Sequence, residues 1–123
     1  MPRVLALVPD LLFGSRVQAA LRAAGDEVEL LSDAAALRRE LGESSAQTVV
    51  VIDLADARLQ GAQLLAELRR EGLLEDVAAV AFYSHVDVAA REAAQRAGFD
   101  LVVPRSRMAR EAAQLVARAR AAR

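Results

Sequence analysis

Short, wholly apolar runs alternate along the chain with stretches in which apolar side chains recur every three or four positions, a strand-then-helix rhythm. Val4-Leu5-Ala6-Leu7-Val8, closed by Pro9-Asp10, predicts the first strand. Val17, Ala20, Leu21 and Ala24 then follow at helical spacing up to Gly25. That helix starts either at Asp10 or at Ser15, where Ser15 and Gln18 have the spacing of a capping box. Glu27-Val28-Glu29-Leu30-Leu31 alternates polar and apolar, as an edge strand with one wetter face does. Ser32-Asp33 caps a second helix through Leu37 and Leu41 to Gly42, followed by the polar loop Glu43-Ser44-Ser45.

Val49-Val50-Val51-Ile52-Asp53-Leu54 is apolar on both alternating faces and ends on a carboxylate, which predicts a central strand of a parallel sheet covered on both sides. Gly61 opens a third helix with Leu64, Leu65 and Leu68 on one face, ended by Gly72. A fourth strand over 77–83 closes on Ser84-His85, and Asp87 caps an alanine-rich helix that stops at Gly98. The fifth strand covers 101–103. The last helix covers 108–123, with Met108, Ala112, Leu115 and Ala119 inward.

Such alternation predicts an α/β fold: one domain over 1–123, a doubly wound three-layer α/β/α sandwich. Right-handed crossovers favour the flavodoxin-like strand order 2-1-3-4-5 for the five-stranded parallel sheet. Ligands of such sheets bind outside the carboxyl ends of the strands, and Asp10, Asp53, Ser84 and Arg105 all fall at or just past strand ends on that side.

Composition narrows the chemistry. The absence of cysteine removes disulfides, thiolate nucleophiles and cysteine-bound metal. No apolar run spans a bilayer and no secretory signal is visible, so the expectation is a cytoplasmic chain without membrane contact. A net charge of -1 gives no field to gather nucleic acid. The arginines from Arg105 onward suit the C-terminal turns of a helix rather than a nucleic-acid patch. There is no glycine-rich phosphate loop, no Gly-x-Ser-x-Gly elbow, no His-Glu-x-x-His and no general-base histidine with a partner, so an enzyme is not expected. His85, the single histidine, reads as a loop residue facing solvent, and Asp56 as a solvated loop carboxylate.

Over essentially its whole length the sequence resembles the receiver domain of bacterial response regulators, the CheY-like fold. Gly61 follows Asp53 by eight residues, as the glycine of Asp-x-x-x-Pro-x-Met-Asp-Gly follows the phosphoacceptor, with Ala57 and Gln60 in place of the Pro and Asp. The resemblance makes Asp53 the phosphoacceptor position and Ser84 the switch hydroxyl. It puts Arg105 where receivers carry lysine, Ser106 where they carry proline and Val102 at the aromatic switch position.

Counting back from Gly25 puts Val8 and Pro9 where receivers hold the acidic pair that binds Mg²⁺, with Asp10 one residue late. A slip of one at a strand end turns a side chain to the other face, so Asp10 reads as a helix N-cap or displaced acid. No metal and no cofactor are expected, since Mg²⁺ needs near-octahedral oxygen ligation. The expectation is a receiver-like module that signals through a protein partner without phosphorylation, with room for a homodimer. Two alternatives stand beside it: a receiver phosphorylated on Asp53, and a small-anion or nucleotide binder using Ser15, Ser84, Arg105 and Ser106. Arg105 is also expected to pair directly with Asp53 and hold the crevice in one state.

Overall fold

In the computed structural model, which describes residues 2–43, 47–84 and 87–123, the strand–helix alternation closes into a single parallel sheet in the order β2-β1-β3-β4-β5. The strands are β1 (Arg3–Leu7), β2 (Glu27–Leu31), β3 (Thr48–Asp53), β4 (Ala78–Tyr83) and β5 (Leu101–Pro104). The helices between and after them are α1 (Leu11–Ala23), α2 (Ala34–Gly42), α3 (Gly61–Arg70), α4 (Val88–Ala97) and α5 (Arg105–Ala121). A 3-10 turn over Ala57–Leu59, too short to leave a periodic signal, links β3 to α3. Ser44, Ser45 and His85 lie outside the described residues.

The pleat of β3 sorts its side chains between two cores. Val49 and Val51 pack with Val17 and Leu21 of α1 and with Met108 and Leu115 of α5. Val50 and Ile52 face Leu37 of α2 and Leu64, Leu65 and Leu68 of α3. All six residues of β3 are buried, whereas in β2, at the sheet edge, Glu27 and Glu29 are exposed. Covering a sheet with helices on both faces in this way leaves only the strand ends open, and the C-terminal ends present Asp53.

The structure chooses between the two starts that the sequence left open for the first helix, and it moves the start of the last. Asp10 rather than Ser15 opens α1: its Oδ1 accepts the N–H groups of Leu12 and Phe13 at 3.0 and 3.1 Å, satisfying two amides of the first turn. The last helix begins at Arg105 and not at Met108, immediately after Pro104, whose extended ψ of 148° ends the strand. Arg105-Ser106-Arg107 form its polar first turn and so contribute nothing to an apolar repeat.

Gly61 is required by space. A Cβ there would stand 2.6 Å from Leu54 Cδ2 and 2.9 Å from Ile52 Cγ2, so glycine lets α3 start against the end of β3. The loop from Asp53 to Gln60 is thereby held close to the sheet, with Gln60 itself in the left-handed region at φ 47°.

Candidate functional site

Asp53 ends β3 opposite Phe82 of β4 and is only 2% exposed. Its Oδ1 accepts the Ala55 N–H at 2.8 Å, so the turn after the strand folds over its own carboxylate. The side chain lies on the wall of an open cleft of about 590 Å³, also lined by Pro9, Asp10, Asp56, Arg58 and Arg105. Burial pushes the Asp53 carboxyl above its ordinary range. The Ala55 amide and the Arg105 charge pull the other way, and Asp56 reinforces the rise.

Each of the other two carboxylates in the cleft holds an arginine. Asp56 caps the 3-10 turn by accepting the Arg58 N–H at 3.1 Å. Its two oxygens also take the Arg58 side chain in a fork, Nε at 3.1 Å and Nη2 at 2.8 Å, which holds the Asp56 carboxyl below the usual range. Asp10 Oδ2 pairs with Arg105 Nη2 at 2.9 Å. The Phe13 amide first, and then Arg105, keep the Asp10 carboxyl below its ordinary value.

The Arg105 guanidinium lies over the Phe13 ring, 4.1 Å from its centroid, in cation–π geometry. Phe13 in turn packs on Phe82 with ring centroids 4.9 Å apart and planes inclined at 43°.

These contacts revise two sequence expectations. Arg105 does not pair with Asp53: it is bound to Asp10, because the first turn of α1 offers both a carboxylate and an aromatic face beside the start of α5. Asp10 is not turned away from the cleft either. Strand alternation ends at Leu7, and the N-cap position brings the carboxylate back over the crevice. Ser84 follows directly on β4, its carbonyl accepting the Asp87 N–H at 2.9 Å. Ser106, in the first turn of α5, is exposed, and neither serine is among the described residues that line the cleft.

Phe13, Phe82 and Arg58 are the participants that sequence reasoning missed. The position of Phe13, three residues after a capping Asp, is the one signal that points to it.

The carboxylates that share the cleft with Asp53 are already engaged. Both oxygens of Asp10 and both of Asp56 are engaged by backbone amides or arginines, and Val8 and Pro9 carry no carboxylate. Among the described residues no group of three or more His, Cys, Asp or Glu is gathered where it would hold a metal ion.

The electrostatics give a testable result. Because burial raises Asp53 in the folded chain, its protonated form adds stability below the unfolded carboxyl value. That contribution is lost as pH rises through the folded value. Once ionised, the carboxylate is a cost, with Asp10, Asp56, Arg58 and Arg105 as the charged groups that line the cleft with it. Asp53→Asn keeps the acceptor for the Ala55 amide and removes the charge. It is expected to melt a few degrees above the parent chain at pH 7, with the advantage shrinking as pH falls toward 4. Thermal melts at both pH values check this, and a variant less stable than the parent at pH 7 would contradict it.

Comparison with known proteins places this geometry in context. No protein-family model matches the chain. Over 75 residues, 61% of its length, it is 36% identical to the response regulator protein PmrA of Pseudomonas aeruginosa, and the match spans only 34% of that protein. It superposes on the response regulator receiver domain protein of Clostridium thermocellum with a TM-score of 0.83 at 18% identity, over 99% of this chain and 96% of that one. The receiver domain of the Francisella response regulator 1452 gives 0.82 at 16% identity, over 99% and 98% of the two chains. The receiver domain of the TMAO respiratory system response regulator TorR gives 0.79 at 17% identity, over 97% and 99%.

Proposed function

We propose that this chain, which has the CheY-like receiver fold, is a cytoplasmic signalling module that works by binding a protein partner and does not use Mg²⁺-dependent phosphorylation of Asp53. The observation that carries this is the commitment of Asp10. Its carboxylate caps α1 and pairs with Arg105, so no second acid is free beside Asp53 to hold a metal, and Arg105 is not aimed at an incoming phosphoryl group. Phosphoryl transfer to a carboxylate needs the charge on the moving group neutralised in line with the attack. Here the two arginines in the cleft spend their charge on Asp10 and Asp56 instead.

Incubation with phosphoramidate and millimolar Mg²⁺, followed by intact-mass measurement, tests the reading. No added phosphoryl mass is expected. A phosphorylated species that is absent from Asp53→Asn would establish the phosphoacceptor function and overturn it.

A further inference from the structure

The cleft holds its own cations off its most buried charge. Asp10, Asp53 and Asp56 face Arg58 and Arg105, three carboxylates against two guanidiniums. The two pairings leave Asp53 without a cationic partner among the described residues. Arg58 is forked onto Asp56. Arg105 is fixed from two sides, by Asp10 and by the Phe13 ring. A carboxylate only 2% exposed, held by the backbone amides of Ala55 and Asp56 and opening onto a cleft of about 590 Å³, is a poor state for a charge without an ion pair and a good receptor for an incoming cation.

The start of α1, next to Asp10, carries the second observation. Leu11 and Leu12 follow directly on Asp10 in the first turn of α1 and are 77% and 83% exposed. Single exposed leucines are ordinary. Two adjacent ones next to a residue of a cleft whose buried charge has no direct ion pair have the anatomy of a contact in which apolar surface surrounds a charged anchor.

We propose that Asp53 receives the guanidinium or ammonium of an Arg or Lys side chain from a partner protein, flanked there by apolar residues that pack on Leu11 and Leu12. The cationic head enters the cleft and makes with the Asp53 carboxylate the direct ion pair that Arg105 and Arg58 do not make. An anionic ligand is disfavoured by the same charge. The inference rests on the proposal that Asp53 is not consumed by phosphoryl transfer, and its test uses neither Mg²⁺ nor a phosphoryl donor, so the two fail separately.

The probe is the peptide acetyl-Leu-Arg-Leu-amide, titrated into the isotopically labelled chain, with acetyl-Leu-citrulline-Leu-amide as its neutral isostere. The Ala55 N–H, bonded to Asp53, is the reporter. Saturable movement of that resonance is expected with the arginine peptide. Affinity should be at least tenfold lower for the citrulline peptide and for Asp53→Asn, and severalfold lower for Leu11→Ser/Leu12→Ser. No saturable movement, or equal affinity for the two peptides or for Asp53→Asn, would overturn the site. Undiminished binding to the leucine variant would overturn the protein partner and leave a small organic cation as the occupant.

Discussion

Replacing Phe82 by alanine is expected to remove about 3–5 kcal/mol of stability, a large share of the roughly 5–15 kcal/mol that holds a domain of this size together. Phe82 is fully buried in β4 and belongs to the core between the sheet and the α1 and α5 helices. Truncation leaves a cavity where a ring stood and strips Phe13 of its aromatic neighbour at 4.9 Å, a pairing worth about 0.5–1.5 kcal/mol beyond the area it buries. The site should register the loss. Phe13 carries the Arg105 guanidinium on its other contact, and Phe82 stands opposite Asp53 in the β3–β4 register. Urea unfolding measures the change. Phe82→Leu, which fills most of the space, is expected to lose only about 1–2 kcal/mol and serves where the alanine variant does not fold. Equal stabilities for parent, leucine and alanine chains would contradict the packing described.

Gly61→Ala comes next in expected size. Its Cβ would meet two side chains of unequal freedom: Leu54 is only half-buried and its terminal methyl can swing aside, whereas Ile52 is fully buried and β-branched, and cannot. Overpacking of this kind costs about 1–3 kcal/mol, while exchanging glycine for alanine returns at most about 1 kcal/mol of helix propensity. The net expectation is a loss of about 1–2 kcal/mol, roughly 4–8 °C in Tm for a chain of this length. Thermal unfolding checks it, and an unchanged or higher Tm would show that α3 moves away from β3 without cost. The displacement is expected to reach the cleft, since the Asp53–Gln60 segment spans the gap between those two elements.

The strand order and the central place of the Val49 strand were legible because they depend on local periodicity and on the handedness of crossovers, both of which a sequence carries directly. Asp53 was legible for the same reason: an apolar run that ends on a carboxylate marks the open end of a buried strand. Asp10 was misplaced because counting along a strand assumes that the pleat continues, and here it stops at Leu7 and gives way to a cap. The partner of Arg105 was not legible at all. Its choice between Asp10 and Asp53 is made by the Phe13 ring beneath the guanidinium, on a helix more than ninety residues away in the chain. The start of α5 was missed because Arg105, Ser106 and Arg107 carry no apolar signal.

The central claim is that Arg105 spends its charge on Asp10 and leaves Asp53 to the open cleft. Two double-mutant cycles measured by thermal unfolding at pH 7 test it most directly, one pairing Arg105→Gln with Asp10→Asn and the other pairing Arg105→Gln with Asp53→Asn. The guanidinium and the Asp10 carboxylate share a hydrogen bond at 2.9 Å, whereas Arg105 reaches Asp53 only through its field. The cycle with Asp10 is therefore expected to show clear non-additivity and the cycle with Asp53 a smaller one. Stronger coupling of Arg105 to Asp53 than to Asp10 would contradict the claim and restore a locked Asp53–Arg105 pair.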